Sequence, residues 1–186
     1  MTSLPFPWLL TPICLIALAF PAYGAVRDLQ AGRLMSLALT QQESFQFDQA
    51  LATYREAARV APGDLNVALA HARAARALWH FRDLPAFRQE ADATYTRART
   101  LSPSSTLPYF EHAQMYAFKE DYTRALTLLE PALNLDPNNA GYWLERGRYL
   151  QASGQNAPAV AAYRRCWATD LVPECEAGLK TLGVQP

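Results

Sequence analysis

The sequence predicts an all-α protein: four helix–turn–helix pairs in succession, closed by a short C-terminal capping helix. Three observations carry this. The first is a pattern of a small residue, a large apolar residue four later, a small one three after that, and a proline five further on. It reads Ala50–Tyr54–Ala57–Pro62, Ala91–Tyr95–Ala98–Pro103 and Ala125–Leu129–Ala132–Pro137, with a degraded copy in Ala159–Tyr163–Cys166 and Leu171 in the proline position. Steps of three and four put these residues on one face of a helix. The small ones let a second helix approach, and the proline stops the helix because it lacks an N–H and clashes with the preceding turn. The second observation is the period: the lead alanines are 41, 34 and 34 residues apart. The third is a matching pattern upstream in each unit, a larger residue followed four later by a small one: Leu34/Ala38, Tyr109/Ala113 and Trp143/Gly147. Ala68/Ala72 in the second unit keeps only the small residue.

A period of about 34 residues built from helix–turn–helix units is that of the tetratricopeptide repeat. From about Ala31 to Leu171 the chain therefore resembles the tetratricopeptide repeat family. The resemblance implies a solenoid whose first helices line a concave groove. It also implies a scaffold or assembly role in which that groove holds a peptide or a partner helix.

Composition agrees. A chain of 186 residues is enough for one domain, and a hydrophobic share of 51% suits stacked amphipathic helices. Formal charge is zero, which argues against a nucleic-acid partner.

In order, residues 1–26 carry no charged side chain. Leu9 to Phe20 is apolar, followed by Pro21 and then Ala22-Tyr23-Gly24-Ala25. An apolar run, a helix breaker and small residues beside a cut after Gly24 read as a secretory signal over 1–24. The n-region departs from the pattern in lacking Lys or Arg. The alternative is an uncleaved membrane anchor over residues 4–26, against which stand Pro5, Pro7, Pro12 and Pro21. Ile13 before Cys14 speaks against a lipoprotein signal. The expected location is the periplasm, with residues 25–186 forming the repeat domain.

The first unit spans about 31–64, with Leu34, Leu37 and Ala38 inward and a second helix from Asp48 to Val60. The second, about 65–105, holds seven extra residues between Ala75 and Pro85. Seven residues are close to two helical turns, so the face is preserved. The spacing predicts one overlong helix over about 65–82, projecting as a ridge of Trp79, His80 and Phe81. A new helix opens at Asp83-Leu84-Pro85, where proline is tolerated in the first turn. The third unit, about 106–139, tolerates Pro131 as a mild kink, and the fourth runs over about 140–171. A capping helix over about 173–182 starts at Pro173, has Glu174 and Glu176 in its first turn, and stops at Gly183. Leu179 and Leu182 would cover the last pair, as a solenoid end requires.

In an exported chain Cys166 and Cys175 are placed to form a disulfide. The alternative leaves Cys166 as a small residue in the alanine position. No catalytic or cofactor motif emerges: His71, His80 and His112 are scattered, and no HExxH, phosphate loop or nucleophile elbow is present. The expectation is a protein that is not an enzyme and has no metal and no cofactor. Helical spacing places Met35, Leu39 and Gln42 on the groove from the first unit, then Asn66, Leu69, Arg73 and Arg76. The third unit adds Phe110, Gln114 and Phe118, and the fourth Leu144, Arg148 and Gln151. Aromatics and arginines together suit an extended peptide or an acidic segment. Phe110 and Phe118 could equally pack between units. The Lys/Asn/Arg set that clamps a C-terminal carboxylate in chaperone-binding members of the family is absent from these positions. Two rivals remain at this stage: a glycan- or cell-wall-binding protein using the ridge at Trp79, and a membrane-tethered assembly subunit.

Overall fold

The computed structural model describes the backbone of residues 10–185 and the side chains from Gly24 to Gln185. All regular structure among the described residues is helical: α1 (Leu10–Glu43), α2 (Phe47–Val60), α3 (Leu65–Arg82), α4 (Pro85–Leu101), α5 (Leu107–Ala117), α6 (Tyr122–Leu135), α7 (Ala140–Ala152), α8 (Asn156–Asp170) and α9 (Pro173–Thr181). The signal-sequence expectation falls on residues whose side chains lie, up to Tyr23, outside the described residues. Among the described residues no helix is long and apolar enough to cross a membrane. The helices divide into two compact units, one ending at Ala74 and the other beginning at Ala75, so the boundary falls inside α3.

The helix limits follow from the residues that set them. α2, α4 and α6 each end two residues before Pro62, Pro103 or Pro137. The turns inside three of the pairs share one geometry. Phe45, Glu120 and Gly154 take left-handed φ values of 60°, 61° and 78°. The next N–H then reaches back five residues, Gln46 to Gln41, Asp121 to Tyr116 and Gln155 to Leu150, at 2.8, 3.1 and 2.8 Å. These bonds satisfy carbonyls that the helix end would otherwise leave unpaired. Asp121 then caps α6 by accepting from the Arg124 N–H.

In the N-terminal unit, α1 lays Ala31 and Ala38 against α2. Ala31, Ala57, Ala61 and Val67 form a core flanked by Leu34, Met35 and Val60. The Arg27 Nε donates to the Val60 carbonyl at 2.9 Å, and the Tyr54 hydroxyl donates to Gln42 at 3.1 Å.

In the C-terminal unit the repeat pattern is the core. Across both units all twelve alanine, aromatic, leucine and cysteine positions of the pattern are 2% exposed or less. The Tyr163 ring shows why small residues surround it. A Cβ at Gly147 would lie 2.5 Å from Tyr163 Cε1, and one at Gly178 would lie 2.6 Å from its Cζ. Leu150, Ala159, Ala162, Tyr163 and Leu179 pack together, with Leu182 alongside, so α9 covers the last pair as expected. Cys166 and Cys175 are joined as a disulfide, with a Cα–Cα distance of 6.0 Å, tying α8 to α9. α6 continues through Pro131.

α3 has the expected length, but its last two turns do not stand out as an aromatic ridge. Trp79 is 7% exposed, with its ring centroid 5.6 Å from that of Tyr116. The ring of His80 stacks on Phe118 at 4.0 Å, and its Nε2 donates to the Met115 carbonyl at 3.1 Å. Only Phe81 of the three projects, 75% exposed. The physical reason is spacing: Ala72, Ala75 and Trp79 lie three and four residues apart, so Trp79 extends the buried stripe of α3.

Candidate partner-binding surface

Within the C-terminal unit the first helices lie side by side. The end of α3 is fixed to α5 by Trp79 on Tyr116, by His80 on Met115 and Phe118, and by the Lys119–Asp83 ion pair at 2.8 Å. α7 is fixed to α5 by the Tyr142 ring, 4.9 Å from that of Phe110, and by the Tyr142 hydroxyl donating to Thr106 at 2.8 Å. These bonds position the expected groove residues. Phe118 is 65% exposed, and Arg148 is exposed. Arg76, Phe110, Gln114, Leu144 and Gln151 are half-buried. Arg148 is held by Glu145 at 2.7 Å, and Gln151 accepts from the Tyr163 hydroxyl at 2.7 Å. Phe110 packs on a neighbouring first helix and keeps part of its surface accessible.

In the N-terminal unit, Leu39, Asn66 and Arg73 are exposed. Met35 is half-buried against the α1/α2 core and shares its surface with packing. Leu69, expected on the groove, is instead 3% exposed and belongs to the interior. It lies one residue beyond Ala68, and α3 is buried over a wider arc than a single stripe: Val67, Ala68 and Leu69 are all interior. The exposed Trp79 platform required for glycan stacking is likewise absent, because that ring is interior.

Sequence reasoning missed a polar cluster under this surface. Asp92 on α4 meets His112 and Tyr116 on α5, which stand four residues apart on one helical face. His112 Nε2 donates to Asp92 Oδ1 at 2.7 Å, and the Tyr116 hydroxyl donates to the two carboxylate oxygens at 2.7 and 2.8 Å. Arg99 Nη1 donates to His112 Nδ1 at 3.1 Å, the His112 ring stacks on Tyr95 at 5.0 Å, and Arg124 lies 3.7 Å from Asp92. Burial pushes the His112 pKa down, outweighing its bond to Asp92. Burial would raise Asp92, but the His112 and Tyr116 bonds prevail and hold its pKa below the usual carboxylate value. Tyr116 is driven well above the ordinary tyrosine range, first by burial and then by the carboxylate.

An aspartate on a histidine resembles part of a catalytic relay, but a working base needs a ring nitrogen free to take a proton. Here the second nitrogen accepts from a guanidinium. The cluster therefore stabilises the pairing of α4 with α5. Its sequence signal is faint, since Asp92 and His112 are twenty residues apart. Among the described residues no group of His, Cys, Asp and Glu could hold a metal ion.

Comparison with known proteins agrees with this architecture. The tetratricopeptide repeat model matches residues 108–139, the third helix pair. A DnaJ homolog subfamily C member 7 homolog of Schizosaccharomyces pombe is 33% identical over 76 residues, covering 41% of this chain but only 15% of that relative. Among solved structures, MamA from Desulfovibrio magneticus RS-1 superimposes with a TM-score of 0.63 at 19% identity, over 82% of this chain and 81% of that one. A Pseudomonas aeruginosa pilF structure gives 0.63 at 17% identity, over 84% and 68%. A thermophilic TPR protein of Thermus thermophilus gives 0.57 at 19%, over 82% and 80%. At such identities the likeness is one of fold, and that fold is the all-α tetratricopeptide-type solenoid.

Proposed function

We propose that this chain is a non-catalytic protein-interaction module of the cell envelope that seats a partner peptide or helix across the first helices of its C-terminal unit. The observation that carries the reading is the surface of α5 and α7. Phe118 keeps most of its ring in solvent although its other face is stacked on His80. Phe110, Gln114, Leu144 and Arg148 continue the accessible strip. An accessible aromatic on a rigid backing, with Gln114 one helical turn before it, is the kind of group that anchors a protein partner. Proteins of this fold are in general interaction scaffolds, which supports the reading at the level of class. The disulfide and the apolar N-terminal stretch favour an oxidising, exported setting, and the periplasm is the compartment that fits both.

The test is photo-crosslinking in the native host from position 118, with Thr123, exposed on the outer helix α6, as the control position. A discrete protein captured from 118 and not from 123 supports the reading. Equal capture from both positions, or none from 118, removes it. The intact mass of the captured chain tests export: a chain beginning at Ala25 fits a cleaved signal, and one retaining residues 4–26 fits a tether.

A further inference from the structure

Helix α1 has two faces, and only one of them is used by its own pair. Ala31, Leu34 and Ala38 face the α2 core. On the opposite side Ala25, Leu29, Gly32, Ser36 and Leu39 are all exposed, with Leu29 at 58% and Leu39 at 51%. Their steps of four, three, four and three residues are the a/d spacing of a two-helix seam. A Cβ built on Gly32 meets nothing within 4 Å, so there is open room above the middle of this face. Asp28 and Arg33, both exposed, flank it on opposite edges, five residues apart. In a parallel helix pair the g position of one chain meets the e position five residues on in the other. Asp28 of one copy therefore reaches Arg33 of a second copy, and the symmetry repeats the pair on the other side. An antiparallel pair would place like edges together and lose both contacts.

We propose that this face of α1 is a dimerisation seam whose occupant is α1 of a second copy of the same chain, in parallel and in register. Leu29 and Leu39 supply the apolar contacts. Gly32 and Ser36 allow close approach, as small residues do at tight helix crossings. The seam assigns Leu39 to self-association and leaves the surface of α5 and α7 to a different partner. Four turns of helix make a small interface, so the dimer is concentration-dependent.

The test uses the full-length chain in host cells, carrying Cys14→Ser so that an added thiol is the reporter. Under mild oxidation Ser36→Cys gives a covalent homodimer, because equivalent a positions face each other only in a parallel, in-register pair. Gln30→Cys, equally exposed but on the far side of the helix, does not. In solution Asp28→Arg weakens self-association by roughly tenfold or more, and adding Arg33→Asp restores it. A monomeric mass at tens of micromolar, equal crosslinking at 30 and 36, crosslinking only to another protein, or no rescue in the double variant overturns the proposal. Gly32→Glu guards against misreading a folding defect: with open space at that position the chain folds normally, yet two like charges meet at the same d position of a parallel, in-register pair and the seam is lost.

Discussion

At the scale of single residues, the positive-φ turn positions and the His112 cluster give the sharpest expectations. Glu120 holds a left-handed φ of 61° where the fourth pair uses Gly154. A residue with a Cβ is strained there by about 1 kcal/mol. Glu120→Gly should therefore stabilise the fold by about 0.5–1 kcal/mol, read as a shift of the urea midpoint with an unchanged slope. The cluster predicts a pH dependence. His112 and His80 both have lowered pKa values, with burial the leading cause. The unfolded chain then binds protons first as pH falls below about 6.5. Stability should be constant above that value and decline as pH drops from it toward the folded-state values. His112→Gln should be less stable at neutral pH but lose less between pH 7 and 5 in chemical denaturation. Asp92, lowered in its turn, adds a loss at still lower pH. Little of this is legible in the sequence. Asp92–His112 is a contact between helices at a separation with no local period. Reading the seven inserted residues as an overhang puts Trp79 in solvent, whereas the i, i+3, i+7 relation of Ala72, Ala75 and Trp79 puts that ring inside.

At the scale of elements the sequence is far more informative. Prolines set the ends of α2, α4 and α6, and the three- and four-residue steps set the faces of these helices and of α8, since both are properties of one helix. The overlong α3 and the Pro85 start of α4 are legible for the same reason. Leu69 is not, because a helix covered on more than one side has no clean boundary between stripe and surface. The α8–α9 junction rests on Leu171, left-handed with φ 42° where the other units have proline, and on the adjoining disulfide. Closing so short a loop stabilises by about 2.5–3 kcal/mol on the chain-entropy estimate. Cys166→Ala combined with Cys175→Ala should lose about that much, and the wild type should lose a similar amount on reduction. The double variant should become insensitive to reductant, which calorimetry with and without reductant will show.

At the scale of the molecule, periodicity specifies the architecture and leaves the partner open, because every unit needs the same small and aromatic residues whatever it binds. The part of the surface that differs between units is where specificity resides, and Phe118, 65% exposed at the end of α5, is an accessible aromatic there. Once a partner is captured, Phe118→Ala should weaken its binding by about tenfold or more while leaving the unfolding transition in place, because the ring contributes little to the core. Calorimetric titration beside thermal unfolding separates these two effects.

The bridge between Cys166 and Cys175 also sets how the chain yields to force. Stretched by its two ends, an unfolded protein can extend only along the covalent path, and the bridge takes nine residues out of that path. At about 3.4 Å per residue, less the 6.0 Å spanned by the bridge, the oxidised chain is shorter at full extension by about 25 Å. The end of α8 and the start of α9 then cannot be drawn apart, whatever the tension.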